Sequence, residues 1–113
     1  MPDTIQSDEL FGKAPRRSPE QFQFVRYRVE GPVARITLNR PEHNLLNESM
    51  LRELADGIGA LTEKSSVKLI VLDANGKIFS AGVDIGEYTA ERAFSMLDAF
   101  HAACIAMVEA PQP

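Results

Sequence analysis

Apolar and polar positions alternate early in the chain, as they do in strands that bury one face. Phe22 to Glu30 follows a period of two, although its apolar face switches near Val25, which indicates a bulge or the true start of the strand. Gly31-Pro32 supplies a turn, and Val33 to Leu38 is a second run rich in β-branched residues. The pattern therefore predicts a β-hairpin, which stops before Pro41 because proline has no N–H for a ladder.

Two later stretches follow the 3.6-residue period of amphipathic helices. Asn47 to Glu63 places its apolar side chains on one face, with Asn47 as the N-cap and Glu48 in the first turn, at the positive end of the helix dipole. Thr89 to Glu109 predicts a longer helix, which ends before Pro111. Its apolar surface is broad enough to pack against more than one element.

A short apolar run, Val67 to Leu72, lies between the predicted helices and is followed by the turn residues Asn75-Gly76. Such a run is typical of a strand buried on both faces, but the pattern alone does not distinguish it from a piece of buried helix. With the strand interpretation, the element order is β-β-α-β-α. The chain is then an α/β protein.

The loop Phe79 to Asp84 directly follows this strand, and ligands of α/β folds sit where loops leave the carboxyl ends of strands. Ala81 and Gly82 have almost no side chain, so a ligand can approach the backbone, and the N–H of Val83 can point at an anionic oxygen. Backbone donors of this kind stabilise an enolate or a tetrahedral intermediate. The residues alone make the loop a candidate oxyanion or phosphate site; the alternative is a tight strand–helix connection without a ligand.

Composition and charge narrow the function classes. The 113 residues allow at most one domain, and a net charge of −4 gives no basic footprint for nucleic acid or an anionic membrane surface. No run is apolar and long enough to span a bilayer. Cys104 is the single cysteine, which excludes an internal disulfide, and the N-terminus lacks the pattern of a secretory signal. The sequence therefore predicts a cytoplasmic protein.

The domain boundary and the absence of a metal site follow from local composition. Met1 to Gln21 is polar and shows no apolar periodicity, which predicts a mobile leader before a domain of residues 22–113. His101 and Cys104 are three positions apart on the last predicted helix, but no further Cys or His nearby completes a metal site. We therefore predict no metal.

Two motifs resemble those of one enzyme family. Phe79 to Ile85 resembles the signature loop of the enoyl-CoA hydratase/isomerase (crotonase) family, and Ile36 to Glu42 resembles its N-terminal strand and the following turn. The motifs occur in the order that the family has, with a helix and a strand between them, and the resemblance covers about Phe24 to Pro113. It implies a crotonase-like ββα superhelix, of which this chain is the N-terminal portion.

The resemblance also implies a chemistry. The family acts on coenzyme A thioesters, whose oxygen is held by two backbone N–H groups, and the first of these corresponds to the N–H of Val83. The second donor and the usual catalytic carboxylates lie in segments that follow Pro113 in the family, so this chain alone is expected to be inactive. The expected reaction of the family member is hydration of an enoyl- or dienoyl-CoA. Coenzyme A is then part of the substrate rather than a separate cofactor, and a homo-oligomer, a trimer or hexamer, is expected.

The resemblance assigns substrate and CoA binding to the loop after the Arg-Pro turn and to the signature loop, at His43, Leu45, Ala81, Gly82, Val83, Asp84 and Ile85. The stretch from His43 to Asn47 is one residue shorter than the commoner family form and resembles that of some dienoyl-CoA hydratases. It points to the cyclohexa-1,5-dienecarbonyl-CoA hydratase branch.

Three nearby charged residues have structural alternatives. Asp84 is either a general base or CoA contact, or an acceptor of backbone N–H groups in the turn. Glu87 is expected to be solvated or to face a segment outside this chain, and Arg40 is expected to be a surface or turn-stabilising cation.

A rival function comes from another class of protein. The chain can be a non-catalytic CoA-binding or subunit-assembly module, because it lacks the second donor. The broad apolar face of Thr89 to Glu109 would then be partly uncovered, which predicts oligomerisation or poor solubility. A plain α/β domain with coincidental motifs is the third alternative.

Overall fold

A computed structural model describes residues 17–113. Three strands and two helices alternate in the predicted order, and two short 3-10 turns accompany them. The strands are β1 (Val25–Glu30), β2 (Val33–Leu38) and β3 (Leu69–Ala74), the helices are α1 (Glu48–Thr62) and α2 (Ala93–Glu109), and the 3-10 turns are Pro19–Gln21 and Ile85–Glu87. The hairpin and both helices are confirmed, and β1 begins at Val25, where the apolar face switches.

The sheet has the order β1-β2-β3. β1 and β2 are antiparallel, with Val25 opposite Leu38, whereas β2 and β3 are parallel, with Val33 opposite Leu69. β3 begins at Leu69, two residues after the start of the apolar run. The N–H groups of Lys68 and Leu69 both donate to the carbonyl of Pro32, the residue before β2, at 2.7 and 3.2 Å.

β3 is not buried on both faces, which corrects the expectation from its apolar run. Leu69 is 42% exposed and the other residues of the strand are only partly buried. The strand is one of the two edge strands of the sheet, and α1 packs over β1 and β2 instead. β3 is therefore more apolar than its partial burial among residues 17–113 requires.

The core lies between the sheet and α1, and α2 packs against α1 and adds side chains to the same core. Its fully buried large side chains include Ile36, Leu38, Met50, Leu51, Leu61, Val67 and Met96. Gly57 of α1 allows the sheet to approach closely, since a Cβ there would lie 3.4–3.5 Å from the side chains of Phe22, Ile36 and Tyr27. This close contact is the packing that a glycine in mid-helix predicts, at an intrinsic cost of about 1 kcal/mol relative to alanine.

A buried carboxylate attaches the start of β1 to α1. Glu53 is 0% exposed, and it accepts hydrogen bonds from the backbone N–H groups of Gln23, Phe24 and Val25 at 2.8, 2.9 and 3.1 Å. Arg17 is 3.5 Å from the same carboxylate. Three amides that precede or begin a strand are thus satisfied by one side chain. The helical pattern gave no indication of this role.

The predicted leader lies outside the described residues as far as residue 16. Of its remaining part, Arg17 donates its N–H to Asp56 at 2.9 Å, and Pro19–Gln21 forms a 3-10 turn. The boundary at residue 21 stays a prediction.

Neither a membrane span nor a metal cluster occurs in residues 17–113. None of their helices combines the length and apolar character needed to cross a membrane. No group of three or more His, Cys, Asp or Glu side chains in this range is arranged around a common point, and Cys104 is exposed.

Glu48 joins the first turns of the two helices. Its carboxylate accepts the Ser95 hydroxyl at 2.7 Å and lies 3.4 Å from Arg52 and 3.3 Å from Arg92. The hydroxyl bond and the two guanidinium groups outweigh burial, so the pKa of Glu48 is lowered below its ordinary value of 4.5. Because the folded state favours the ionised form, the stabilisation is present above this value and is lost as the pH falls through the folded pKa.

Glu48→Gln is therefore expected to destabilise the chain by about 1 kcal/mol at pH 7 and to have little effect once Glu48 is protonated in both states. Urea unfolding at pH 7 and in the range below the ordinary pKa measures the difference, with the exposed Glu91→Gln as the control. Some acid sensitivity persists in the variant, because the Thr37 hydroxyl and Arg35 also lower the pKa of Asp73. An equal deficit at both pH values would contradict this role.

Candidate functional site

Two loops lie side by side where β2 and β3 end. We call residues 39–47 the first loop and residues 75–84 the second loop. Because β2 and β3 are parallel, both loops leave the same end of the sheet, at the carboxyl ends of the strands. The backbone joins them through Ala81 N–H to the His43 carbonyl at 2.9 Å, Leu46 N–H to the Gly82 carbonyl at 2.9 Å and Asp84 N–H to the Leu46 carbonyl at 3.0 Å.

The N–H of Val83 is left open by this pairing. Leu46 and Val83 form an isolated parallel bridge, in which Leu46 bonds to the residues on either side of Val83. Since successive N–H groups of an extended chain point in opposite directions, the amide of Val83 points away from Leu46. It has no hydrogen-bond partner among residues 17–113. A partly buried amide without a partner is uncommon, and it is the group that a ligand oxygen can accept from.

Gly82 gives the second loop its shape. Its φ is +111°, a backbone conformation that residues other than glycine rarely adopt. Its N–H donates to the Ser80 hydroxyl at 3.1 Å. A Cβ at this position would meet no atom within 4 Å. The glycine is therefore required by conformation rather than by lack of space, and the backbone beside Val83 stays accessible.

An apolar cavity of about 170 Å³ adjoins Val83. Its lining comes from the second loop, the residue after the second 3-10 turn and α2, namely Val83, Tyr88, Met96, Leu97 and Phe100. An apolar protein cavity of about 150 Å³ is large enough for benzene. An apolar group of that size can thus lie next to the open amide.

Buried Asn44 connects the two loops from the inside. It is 0% exposed, accepts the Arg40 N–H at 2.8 Å, and donates to the carbonyls of Asn75 and Ile78 at 2.9 and 2.8 Å. Its φ of 49° lies in the left-handed region, which asparagine tolerates better than most residues. This role was not predicted from the sequence, although an asparagine shortly after an Arg-Pro turn is a signal for such a conformation.

Asp84 and Arg40 form an ion pair across the loops. Arg40 Nη1 lies 2.8 Å from Asp84 Oδ2 and donates to the Leu45 carbonyl at 3.0 Å, while Asp84 Oδ1 accepts the Gly86 N–H at 3.1 Å. Asp84 is thus an acceptor of a backbone N–H in the turn, which was one of its two predicted roles. Arg40 stabilises the loop, as expected of it.

The other predicted site residues lie on the same edge. His43 is exposed and contributes its carbonyl to Ala81, and Leu45 contributes its carbonyl to Arg40. Ile85 begins the second 3-10 turn and is 84% exposed. The described residues thus bring all seven predicted positions together, mainly through main-chain groups. Whether they bind CoA stays a prediction.

The expectation for Glu87 is wrong. Its carboxylate accepts the Glu48 N–H at 2.9 Å, at the start of α1, and lies 3.8 Å from Arg92. An acidic side chain at a helix N-terminus is stabilised by the unpaired amides of the first turn. The contact spans 39 positions of the chain, which is why the local pattern does not indicate it.

Residues 28–104 match the family model described as enoyl-CoA hydratase/isomerase. YhaR of Bacillus subtilis (strain 168), a protein described as an enoyl-CoA hydratase/isomerase, is 44% identical over 71 residues. The match covers 62% of this chain and 28% of that protein. Cyclohexa-1,5-dienecarbonyl-CoA hydratase of Thauera aromatica is 26% identical over 84 residues, 74% of this chain and 33% of that protein. The chain thus spans about a quarter to a third of the length of these relatives.

The fold is also similar to solved structures. An enoyl-CoA hydratase/carnithine racemase from Magnetospirillum magneticum superposes with a TM-score of 0.75 and 32% identity, over 80% of this chain and 37% of that chain. A Legionella pneumophila protein described as a crotonase gives a TM-score of 0.70 and 27% identity, over 80% of this chain and 38% of that chain. These likenesses confirm a crotonase-like arrangement for the part that they cover.

Proposed function

Because the chain belongs to the enoyl-CoA hydratase/isomerase family, we propose that it binds the thioester group of an enoyl- or dienoyl-CoA that undergoes hydration. The open amide of Val83 is the observation that carries the proposal. In this function the Val83 N–H donates to the thioester oxygen. Coenzyme A enters as part of the substrate.

The chemistry needs such a donor because addition of water to an enoyl thioester places negative charge on the thioester oxygen. A main-chain N–H at that oxygen stabilises the resulting enolate, and a single donor of this type contributes about 3 kcal/mol to the transition state. In this function the first loop, with His43 and Leu45, lies along the coenzyme A portion. The apolar cavity beside Val83 takes the acyl group.

The acid and base of the reaction are not assigned to the carboxylates nearest Val83. Asp84 is paired with Arg40, and Glu87 is engaged by the Glu48 N–H and Arg92. Both carboxylates therefore already have partners within residues 17–113. We therefore expect the chain alone to bind a thioester without turning it over.

A small ring is the acyl group that we propose. The cavity is close in volume to one that holds benzene, and its lining side chains are apolar or aromatic. The similarity to the Thauera aromatica cyclohexa-1,5-dienecarbonyl-CoA hydratase and the short first loop favour the same branch. A cyclic dienoyl-CoA is our proposed substrate.

A subunit-assembly module is the second candidate, and the exposed face of α2 favours it. Phe94, Leu97 and Val108 are 75%, 54% and 84% exposed on this helix. Apolar side chains at this density are typical of a surface that another element covers. This candidate predicts association without affinity for a thioester, and a cytoplasmic homo-oligomer is the expectation for either function.

Val83→Pro tests the thioester function directly, because proline removes the N–H. No hydrogen bond within residues 17–113 is lost by this change. We expect the affinity for 2-butenoyl-CoA to fall about tenfold or more, the fold-change of one lost bond of roughly 1.4 kcal/mol. Isothermal titration calorimetry measures this change.

Val83→Ala and free coenzyme A are the controls. The alanine variant keeps the N–H and should bind 2-butenoyl-CoA within about threefold of the unmodified chain, since only a few cavity contacts are lost. Free coenzyme A has no thioester oxygen, so its affinity should be the same for the proline variant. Unchanged thioester affinity in Val83→Pro would overturn the proposed function.

A further inference from the structure

We infer that Arg40 is a positioning residue of this site, which cancels the charge of Asp84 next to the Val83 amide and holds the first loop against the second. The inference rests on the proposed function of Val83. It adds a second requirement of the site: besides the open N–H of Val83, the surroundings of this donor must be electrically neutral.

The contacts of Arg40 reach both loops at once. One nitrogen, Nη1, bonds to the Leu45 carbonyl at 3.0 Å and to Asp84 Oδ2 at 2.8 Å. The guanidinium carbon lies over the Phe24 ring, 6.0 Å from its centre, at the distance of a cation–π contact. The Arg40 backbone N–H is itself fixed by Asn44 at 2.8 Å. Arg40 is thus held at both ends while it spans the loops.

The ion pair is partly buried. The side chains of Arg40 and Asp84 are 33% and 15% exposed, so their charges are screened less than those of a surface pair. A carboxylate that loses its partner in such a place keeps its charge at a high cost to its surroundings. The unpaired carboxylate then repels any other negative charge nearby.

The negative charge that the proposed function creates lies one residue away. Asp84 directly follows Val83, whose N–H receives the thioester oxygen as it becomes an enolate. Without Arg40, the carboxylate and the enolate would be like charges on adjacent residues of the site, and they would repel each other. With Arg40 in place the ion pair is neutral overall, and the Val83 N–H donates to the enolate oxygen without repulsion from Asp84.

A purely structural role makes a different prediction. If Arg40 only braces the loops, its loss weakens neutral and anionic ligands equally. If it cancels the charge of Asp84, its loss weakens the anionic ligand more, and neutralising Asp84 in the same variant restores the affinity. The charge of the ligand therefore separates the two roles.

The experiment compares butanoyl-CoA, whose acyl group is uncharged, with acetoacetyl-CoA, a β-keto thioester, at a mildly alkaline pH at which its acyl group forms the enolate. Both ligands carry the same coenzyme A phosphates, so only the charge of the acyl group differs. Their dissociation constants are measured by calorimetry for the unmodified chain, Arg40→Gln, Arg40→Lys and the double variant Arg40→Gln with Asp84→Asn. In Arg40→Gln we expect acetoacetyl-CoA to lose about tenfold more affinity than butanoyl-CoA. The double variant should remove most of this difference, and Arg40→Lys, which keeps the charge, should show little of it.

Equal losses for the two ligands in Arg40→Gln, or a double variant that retains the difference, would overturn the inference. If Arg40→Gln does not fold, Asp84→Asn alone decides: it leaves an unpaired Arg40 beside the site, so acetoacetyl-CoA should bind more tightly relative to butanoyl-CoA, and an unchanged ratio would contradict the inference. The proposed function fails separately, when Val83→Pro leaves thioester affinity unchanged. An effect of Val83→Pro without a charge-dependent effect of Arg40→Gln would reject only the role of Arg40.

Discussion

Glu53→Ala is expected to lower the free energy of unfolding by about 3–5 kcal/mol, the largest effect that we predict for a single side chain. The carboxylate is 0% exposed and accepts three backbone N–H groups of residues 23–25. Alanine leaves these amides without an acceptor and opens a cavity in α1, and each buried, unsatisfied donor costs about 1–3 kcal/mol. For a chain of this size, such a loss removes much of the total stability.

Urea unfolding followed by circular dichroism measures the loss, and Glu53→Gln refines its cause. Glutamine retains one carbonyl acceptor but brings an NH₂ group against backbone donors, so we expect it to recover less than half of the stability. Glu109→Gln, at an exposed position of α2, is the matched control and should change the stability by no more than about 0.5 kcal/mol. A change below about 1 kcal/mol in Glu53→Ala would show that water replaces the carboxylate at no cost.

Asn44→Ala is expected to destabilise the chain by about 3 kcal/mol and to loosen the proposed thioester site. The substitution removes three side-chain hydrogen bonds of a fully buried residue, and it places alanine at a φ of 49°. Because the lost bonds join the first and second loops, affinity for 2-butenoyl-CoA should fall together with stability.

Asn44→Gly separates the two contributions. Glycine also removes the hydrogen bonds but adopts positive φ without strain, so it should be about 1 kcal/mol more stable than the alanine variant. Amide hydrogen exchange gives a local readout at Ala81 and Leu46, whose N–H groups bond across the loops. Faster exchange at these amides is expected in both variants. Unaltered protection would mean that the loops stay paired without Asn44.

Local sequence signals predicted the elements well because they depend on neighbours in the chain. Asn47 is the N-cap of α1 and accepts the Met50 N–H at 2.7 Å, and Glu48 lies in the first turn, as the pattern predicts. The hairpin turn and the end of α2 are likewise set by residues next to them. α2 begins at Ala93 rather than Thr89, because residues 85–87 form a 3-10 turn and residues 90–92 a further turn first.

The interactions that fix the site were not predictable in the same way, since their partners are distant in sequence. Glu53 bonds to amides 28–30 positions away, and Asn44 reaches carbonyls 31 and 34 positions away. On a helical wheel, Glu53 is simply a polar residue near an apolar face. Only the packed structure shows that its face is buried and that unpaired backbone donors meet it there.

The candidate loop itself was located from the small residues after an apolar run and from the family resemblance. The structure adds why the amide of Val83 is available: Leu46 bonds to its two neighbours and leaves it unpaired. It also explains why Asp84 is not a free carboxylate, which no spacing rule indicates, because Arg40 is 44 positions earlier in the chain.

A main-chain donor has an unusual signature in saturation mutagenesis. At position 83, most side chains that fit the cavity would preserve the N–H, and proline would be the exception. Intolerance would instead concentrate at positions that shape the loops, namely Arg40, Asn44 and Gly82. A mutational map of this protein would therefore outline the site by its surroundings, with a tolerant position at its centre.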